Sequence, residues 1–231
     1  MIKVTELIKS YNGLIAVNIP SLIIEKGESF GLVGNNGAGK TTFFRLILDL
    51  VRPDSGEVLS NSVDVKKTEE WKKYTGSYLD ESFLIDFLTP EEYFHFIAKL
   101  NSLSAGDLNE FYSDFDDFFN GEIIGRNKLI RDLSQGNRKK VGIAAALMIK
   151  PSILILDEPF ANIDPSTQIR LKKMLNDHKE KHDITMLISS HDLLHITEVC
   201  ERIVILEKSE IVKDLETNQN TLKELETYFT A

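Results

Sequence analysis

Apolar residues recur along the chain in two rhythms. Alternation and short continuous runs predict strands at 2–9, 21–25, 28–33, 56–60, 75–79, 152–157, 184–189 and 202–207. A spacing of three to four predicts helices over 40–50, 90–100, 107–118, 135–149, 165–181, 192–200 and 220–229. Strands precede helices repeatedly, an order that predicts a mainly parallel sheet in an α/β protein.

One stretch breaks this character. Between Asn101 and Gly125 there is no Lys or Arg, and Asp107, Glu110, Asp114, Asp116, Asp117 and Glu122 alternate with Phe111, Tyr112, Phe115, Phe118 and Phe119. The shift predicts a helical lobe, about 83–132, inserted into an α/β core formed by about 1–82 and 133–231, so that 1–231 reads as a single domain. Two readings of the lobe stand side by side: an acidic solvated face over an aromatic core, or a surface that touches another protein.

With 42% hydrophobic and 27% charged residues the composition is that of a soluble globular protein, and it excludes general disorder. No run approaches about 20 apolar residues, and MIKVTELIKSYNGL alternates like a strand without a secretory core, which predicts a cytosolic chain. The lone Cys200 rules out an internal disulfide and reads as a buried thiol. A net charge of -9 is the wrong sign for a whole-molecule nucleic-acid binder, so no nucleic-acid partner is expected.

Candidate chemistry begins at GLVGNNGAGKTTFFRLIL, a strand, a glycine-rich loop and a helix. Gly34, four residues, Gly39, Lys40 and Thr41 have the GxxxxGK(S/T) spacing. Glycines there let successive amides of Asn35, Asn36, Gly37, Ala38, Gly39, Lys40, Thr41 and Thr42 point at phosphate oxygens, with the helix dipole behind them. Lys40 would reach the β and γ phosphates and Thr41 would offer its hydroxyl to Mg²⁺. Downstream, PSILILDEPF is an apolar strand ending in two acids: Asp157 as the Mg²⁺ carboxylate and Glu158 as a general base. His191 follows the apolar strand ITMLISS, again at a strand's C-terminal end, where open sheets gather ligands. His95, His178, His182 and His195 read as structural or exposed.

LSQGNRKK, residues 133–140, is a second helix start, with Ser134 in the cap position. A capped helix tip also holds anions, yet a phosphate site already exists about ninety residues upstream.

Taken in order, GNNGAGKTT, LSQGN, ILILDEP, ANID and His191 resemble the ATP-binding cassette of ABC transporters, over about residues 2–229. The resemblance implies a P-loop NTPase core with a mainly parallel sheet, an N-terminal antiparallel β lobe and the inserted helical lobe. It implies ATP and Mg²⁺ as cofactors, ATP hydrolysis, and a second cassette, identical or not, placed head to tail. Ser134, Gln135 and Gly136 would then bind the γ-phosphate held by that neighbour, and Asp164 would lie at the junction. Tyr11 corresponds to the aromatic that stacks on adenine, and Glu81 stands where the family usually has a Gln that links Mg²⁺ to the membrane partner. That partner, a separate transmembrane permease, would seat a helix in a groove near Glu81, Phe83 and Phe87 and hold the chain on the cytoplasmic side of the membrane. Gln135 and Asn137 depart from the commoner LSGGQ, and ANID from SGLD. The general pattern is more like exporters. Two rivals remain: a soluble cassette ATPase acting on ribosomes or DNA, and a P-loop kinase, which would explain GNNGAGKTT but not the other four motifs.

Overall fold

Asn12 and Gly13 both take positive φ, 51° and 79°, and reverse the chain, so that β1 (Ile2–Tyr11) pairs antiparallel with β2 (Leu14–Ile24) from Ile2↔Ile24 to Tyr11↔Leu14. In the computed structural model, which describes residues 1–230, β3 (Ser29–Val33) and α1 (Lys40–Ile47) follow, then β4 (Ser55–Ser60), β5 (Val63–Asp64) and β6 (Thr75–Tyr78). Next come α2 (Pro90–Leu100), α3 (Ala105–Phe119) and α4 (Gln135–Met148). The last part holds β7 (Ile153–Leu156), α5 (Pro165–His182), β8 (Thr185–Ser190), α6 (Leu193–Val199), β9 (Arg202–Glu207), β10 (Glu210–Glu216) and α7 (Thr221–Thr230).

Two sheets result. One is antiparallel, in the order β2-β1-β4-β5; the other runs β10-β9-β3-β8-β7-β6 and is parallel except for the β9–β10 hairpin at its edge. The expected α/β class with an N-terminal antiparallel part is therefore present, and all seven expected helices form. The strand bounds need correction. β2 starts at Leu14 and not near 21, because the Asn12–Gly13 turn lets it pair along the whole of β1. β5 and β10 were not expected: β5 is a two-residue edge pairing, and β10 follows a turn whose two residues, Lys208 and Ser209, take φ 46° and 74° without being glycine. β3 and β6, although within residues 1–82, join the parallel sheet.

α1 is where the two sheets meet. Its Phe43, Phe44, Leu46 and Ile47 are buried in one cluster with Ile2, Val4 and Leu7 of β1 and Phe30 and Leu32 of β3. Full burial of each such phenylalanine contributes on the order of 2 kcal/mol. The start of α1 is thus fixed from both sides.

The segment from α2 to α3 is built locally. Thr89 and Ser104 each form a capping box, with Glu92 and Asp107, which is why α3 begins at Ala105 and not at 107. Phe94, Phe111, Phe115, Phe118 and Phe119 are all buried, and Phe94 meets Phe111 edge-on at 4.9 Å. The acidic residues of α3 face outward over this aromatic core, as the first of the two readings requires. Cys200 is buried, and burial pushes its thiol pKa up.

α4 carries residues 139–148 wholly buried and lies against β6. A Cβ on Gly142 would stand 2.2 Å from the Tyr78 ring, so only glycine permits this approach. No helix among the described residues is long and apolar enough to cross a membrane.

Candidate nucleotide site

Parallel register brings three strand ends together. Val33 of β3 pairs with Ser190 of β8, and Leu156 of β7 pairs with Ile188 of β8. The residues just beyond those ends are Gly34, Asp157 and His191, far apart in sequence and adjacent in space.

The loop after β3 is shaped for an anion. Gly37 and Gly39 take φ 84° and 111°, and a Cβ on Gly39 would stand 2.2 Å from the Ala16 carbonyl. No side chain caps α1. The first amides of a helix have no carbonyl to reach, so here they point into the loop. Asn35, Asn36, Gly37, Ala38, Gly39, Lys40, Thr41 and Thr42 line one cavity of about 200 Å³, together with Ala16 and Glu158.

Lys40 is buried, and its Nζ donates to the Gly34 carbonyl at 2.6 Å and lies 3.3 Å from Glu158 Oε1. Thr41 Oγ1 donates to Asp157 Oδ2 at 2.5 Å, and the Ser189 hydroxyl donates to Asp157 Oδ1. Burial raises the Asp157 pKa while these two hydroxyls and Lys40 oppose the rise. Glu158 has φ 48°, a left-handed conformation that costs an ordinary residue about 1 kcal/mol or more. It is held there by its amide, which donates to Ser189 Oγ at 2.9 Å, and this aims its carboxylate back at Lys40 and at His191. His191 Nδ1 lies 2.8 Å from Glu158 Oε2. A carboxylate only accepts, so Nδ1 carries the hydrogen and orients the ring.

The residues present fit a hard divalent cation. Thr41 hydroxyl and Asp157 carboxylate are oxygen donors in contact beside the phosphate loop, and Glu81 Oε1 is buried with no hydrogen-bond partner. Among the described residues no cluster of three His, Cys, Asp or Glu side chains is close enough to hold a metal. Such a cation would therefore need oxygens brought by a phosphate ligand.

Other expected residues stand outside the cavity. Tyr11 is 44% exposed at the end of β1, with Lys9 Nζ 5.3 Å from its ring centroid; its strand partner Leu14 lies two residues before the cavity-lining Ala16. Glu81 lies in a short 3-10 turn, Glu81–Phe83, beside Tyr78, whose phenol pKa is pushed up by burial and then by the Glu81 and Asp80 carboxylates. Ser134 caps α4 by accepting from the Asn137 amide at 3.2 Å. Ser134 and Gln135 are exposed, and Gly136 packs near Asn162 and Ile163. Asp164 caps α5, accepting from the Thr167 amide at 3.0 Å and from the hydroxyls of Ser166 and Thr167.

A family model described as ABC transporter matches residues 17–161. The chain belongs to the ABC transporter family. It is 31% identical over 224 residues to the ABC transporter ATP-binding protein YtrB of Bacillus subtilis, covering 95% of this chain and 73% of YtrB. It is 31% identical over 204 residues to the methionine import ATP-binding protein MetN of Carboxydothermus hydrogenoformans, covering 86% of this chain and 60% of MetN. A bacterial ABC transporter cassette solved as a dimer superposes with TM-score 0.83 at 25% identity, over 94% of this chain and 99% of that one. The chain is thus an ATP-binding, ATPase cassette of this family.

Two contributors to the cassette's site are absent from the expectations above. Ser189 ties Asp157 and Glu158 to β8; its only signal in the sequence is a small hydroxyl two residues before His191. Lys139 is buried and donates to the carbonyls of Glu158 and Ala161. Its place in the basic run Arg138–Lys140, directly before the apolar stretch 141–149, gives no sign of which of the three residues turns toward the site.

Proposed function

We propose that this cassette, a single domain over 1–231, binds Mg²⁺-ATP in the loop after β3, pairs head to tail with a second cassette, and hydrolyses ATP to drive a transmembrane permease. The observation that carries the reading is the separation within one chain of two anion-binding tips. Lys40 and its loop line the cavity, while Ser134 is exposed and takes no part in lining it. A neighbour's nucleotide supplies the missing partner for Ser134, Gln135 and Gly136.

Within one cassette the chemistry follows from the contacts. Phosphate oxygens would compete with Glu158 for Lys40, because an ammonium 3.3 Å from a carboxylate is drawn to the more highly charged group. Glu158 Oε1 is then free to take a proton from water, and His191 holds the other oxygen. Mg²⁺ would be held by Thr41 and Asp157, with Glu81 nearby, and would supply charge neutralisation of the phosphates. Tyr11 would stack on the base at the mouth of the site.

The permease would dock where Leu50, Phe83 and Leu84, with Tyr93 and Ile97 of α2, line a groove of about 400 Å³, and Phe83 is 51% exposed. Of the three residues expected there, Phe83 lines the groove, while Glu81 and Phe87 do not. Such docking would keep the cassette on the cytoplasmic face of the membrane. The sequence pattern favours export, whereas MetN is named for import; the nucleotide site described here serves either direction. A soluble cassette acting on ribosomes is disfavoured by that apolar groove.

Glu158→Gln tests the reading. Phosphate release is expected to fall by about 10²- to 10⁴-fold, the usual range for a general base, while ATP binding persists and gel filtration with Mg²⁺-ATP shows a dimer. A variant that stays monomeric with ATP contradicts the head-to-tail bridge.

A further inference from the structure

Lys139 is 6% exposed, yet the carboxylate of Glu158 is paired with Lys40 and His191 and not with it. Its Nζ instead donates to two main-chain oxygens, Glu158 O at 2.8 Å and Ala161 O at 2.7 Å. These two carbonyls belong to a turn bracketed by left-handed residues, Glu158 at φ 48° and Asn162 at φ 60°. Asparagine tolerates that region; glutamate does so rarely, and needs surroundings that hold it there.

We propose that Lys139 is a positioning residue for hydrolysis, clamping the 158–161 turn to α4 so that the Glu158 carboxylate faces the phosphate loop. The inference rests on the assignment of Glu158 as the base. Three features support it. A buried ammonium is costly unless its donors are used, and here two of the three go to carbonyls of one short turn. Burial lowers the Lys139 pKa, while the carboxylates of Glu81, Glu158 and Asp157 act against the fall and favour the charged form. The helix that carries Lys139 is itself fixed, since Gly142, three residues on, lies against the Tyr78 ring. Ser134 begins that same helix, five residues earlier. A rigid rod therefore runs from the tip assigned to the neighbour's phosphate to the main chain of this cassette's own base.

The test compares Lys139→Met, Lys139→Gln and Lys139→Arg for ATP turnover and for binding of a fluorescent ATP analogue, each with Glu158 intact and with Glu158→Gln. Lys139→Met is expected to lower kcat by about tenfold or more, because small misplacement of a reacting group has effects of that size. Nucleotide Kd should stay within about twofold, and Lys139→Arg, which donates to two acceptors, should recover most of the turnover. On the Glu158→Gln background Lys139→Met should add less than about twofold, since no base remains to be positioned. Unchanged kcat, an equal loss on both backgrounds, or an arginine variant no better than methionine would each overturn the proposal. If Lys139→Met does not fold, the glutamine and arginine variants carry the same comparison. Failure of the base assignment shows separately, as full turnover in Glu158→Gln alone.

Discussion

The cassette presents two helix tips that suit an anion, and they are built in opposite ways. α1 begins after a left-handed Gly39 with no side-chain cap, its Lys40 buried and its loop folded into a cavity. α4 begins with Ser134, whose oxygen accepts from the Asn137 amide and whose surroundings are solvent. The first tip leaves its amides uncapped within an enclosed loop, so it can bind a phosphate unaided. The second has one amide satisfied and no walls, and becomes a site only when something is brought to it. Two helix tips of unlike completeness on one chain imply that, under the proposed function, nucleotide binding and assembly rest on different residues.

The largest expected effect comes from breaking the enclosed tip. Lys40→Met keeps the buried stem and removes the ammonium, a charge-assisted donor contributing about 1.5–3 kcal/mol to an anionic partner. Mg²⁺-ATP affinity of the isolated cassette should fall by roughly 10- to 100-fold, measured by calorimetry. Since Lys40 also neutralises Glu158, the variant leaves that carboxylate with His191 alone, and hydrolysis should fall at least as far as binding. An unchanged affinity would mean that the loop amides suffice.

Breaking the exposed tip should act elsewhere. Ser134→Ala is expected to leave the ATP affinity of the monomer within about twofold and to weaken the ATP-dependent dimer by about tenfold, the worth of one hydrogen bond to a charged group. The dimer is best followed in the Glu158→Gln background by sedimentation. Equal losses in both measurements would merge the two tips into one site and end the distinction drawn above.

Much of this was readable from residue order. The spacing from Gly34 to Thr41 dictates a loop and a helix start by itself, and Ser134 marks its helix as any cap does, because both depend on local backbone chemistry. What escaped depends on neighbours distant in sequence. The left-handed Glu158 runs against its own preference and exists because Ser189 and Lys139, 31 and 19 residues away, grip its amide and carbonyl. β10 is hidden for a related reason: Lys208 and Ser209 turn with positive φ although neither residue type advertises it. β2 differs, since Asn12–Gly13 is itself a strong hairpin signal and only the weak alternation of Leu14–Ile19 hides the strand that follows it.

A third helix tip, that of α5, is closed by its own side chains. Asp164 caps the 18-residue α5 through the amide of Thr167 and the hydroxyls of Ser166 and Thr167. Those contacts, the Ser166 hydroxyl first, hold its carboxyl well below the usual carboxylate range. If the Asp164 cap is chiefly structural, Asp164→Ala should cost about 1 kcal/mol of stability at neutral pH, with the ionic share kept small by solvent screening. The sign of the pH dependence follows from linkage. A folded pKa below the unfolded value, about 3.9, gives stability that is complete above that value and is lost as pH falls through the folded one. The gap in urea midpoint between wild type and Asp164→Ala should therefore hold steady from pH 7 to about 4 and narrow below it. Asp164→Asn, which keeps an acceptor but cannot titrate, should show a smaller deficit at pH 7 that closes in the same acid range. A gap that widens on acidification would show that the carboxylate is a burden in the fold, and would point to the second cassette as the reason for its presence.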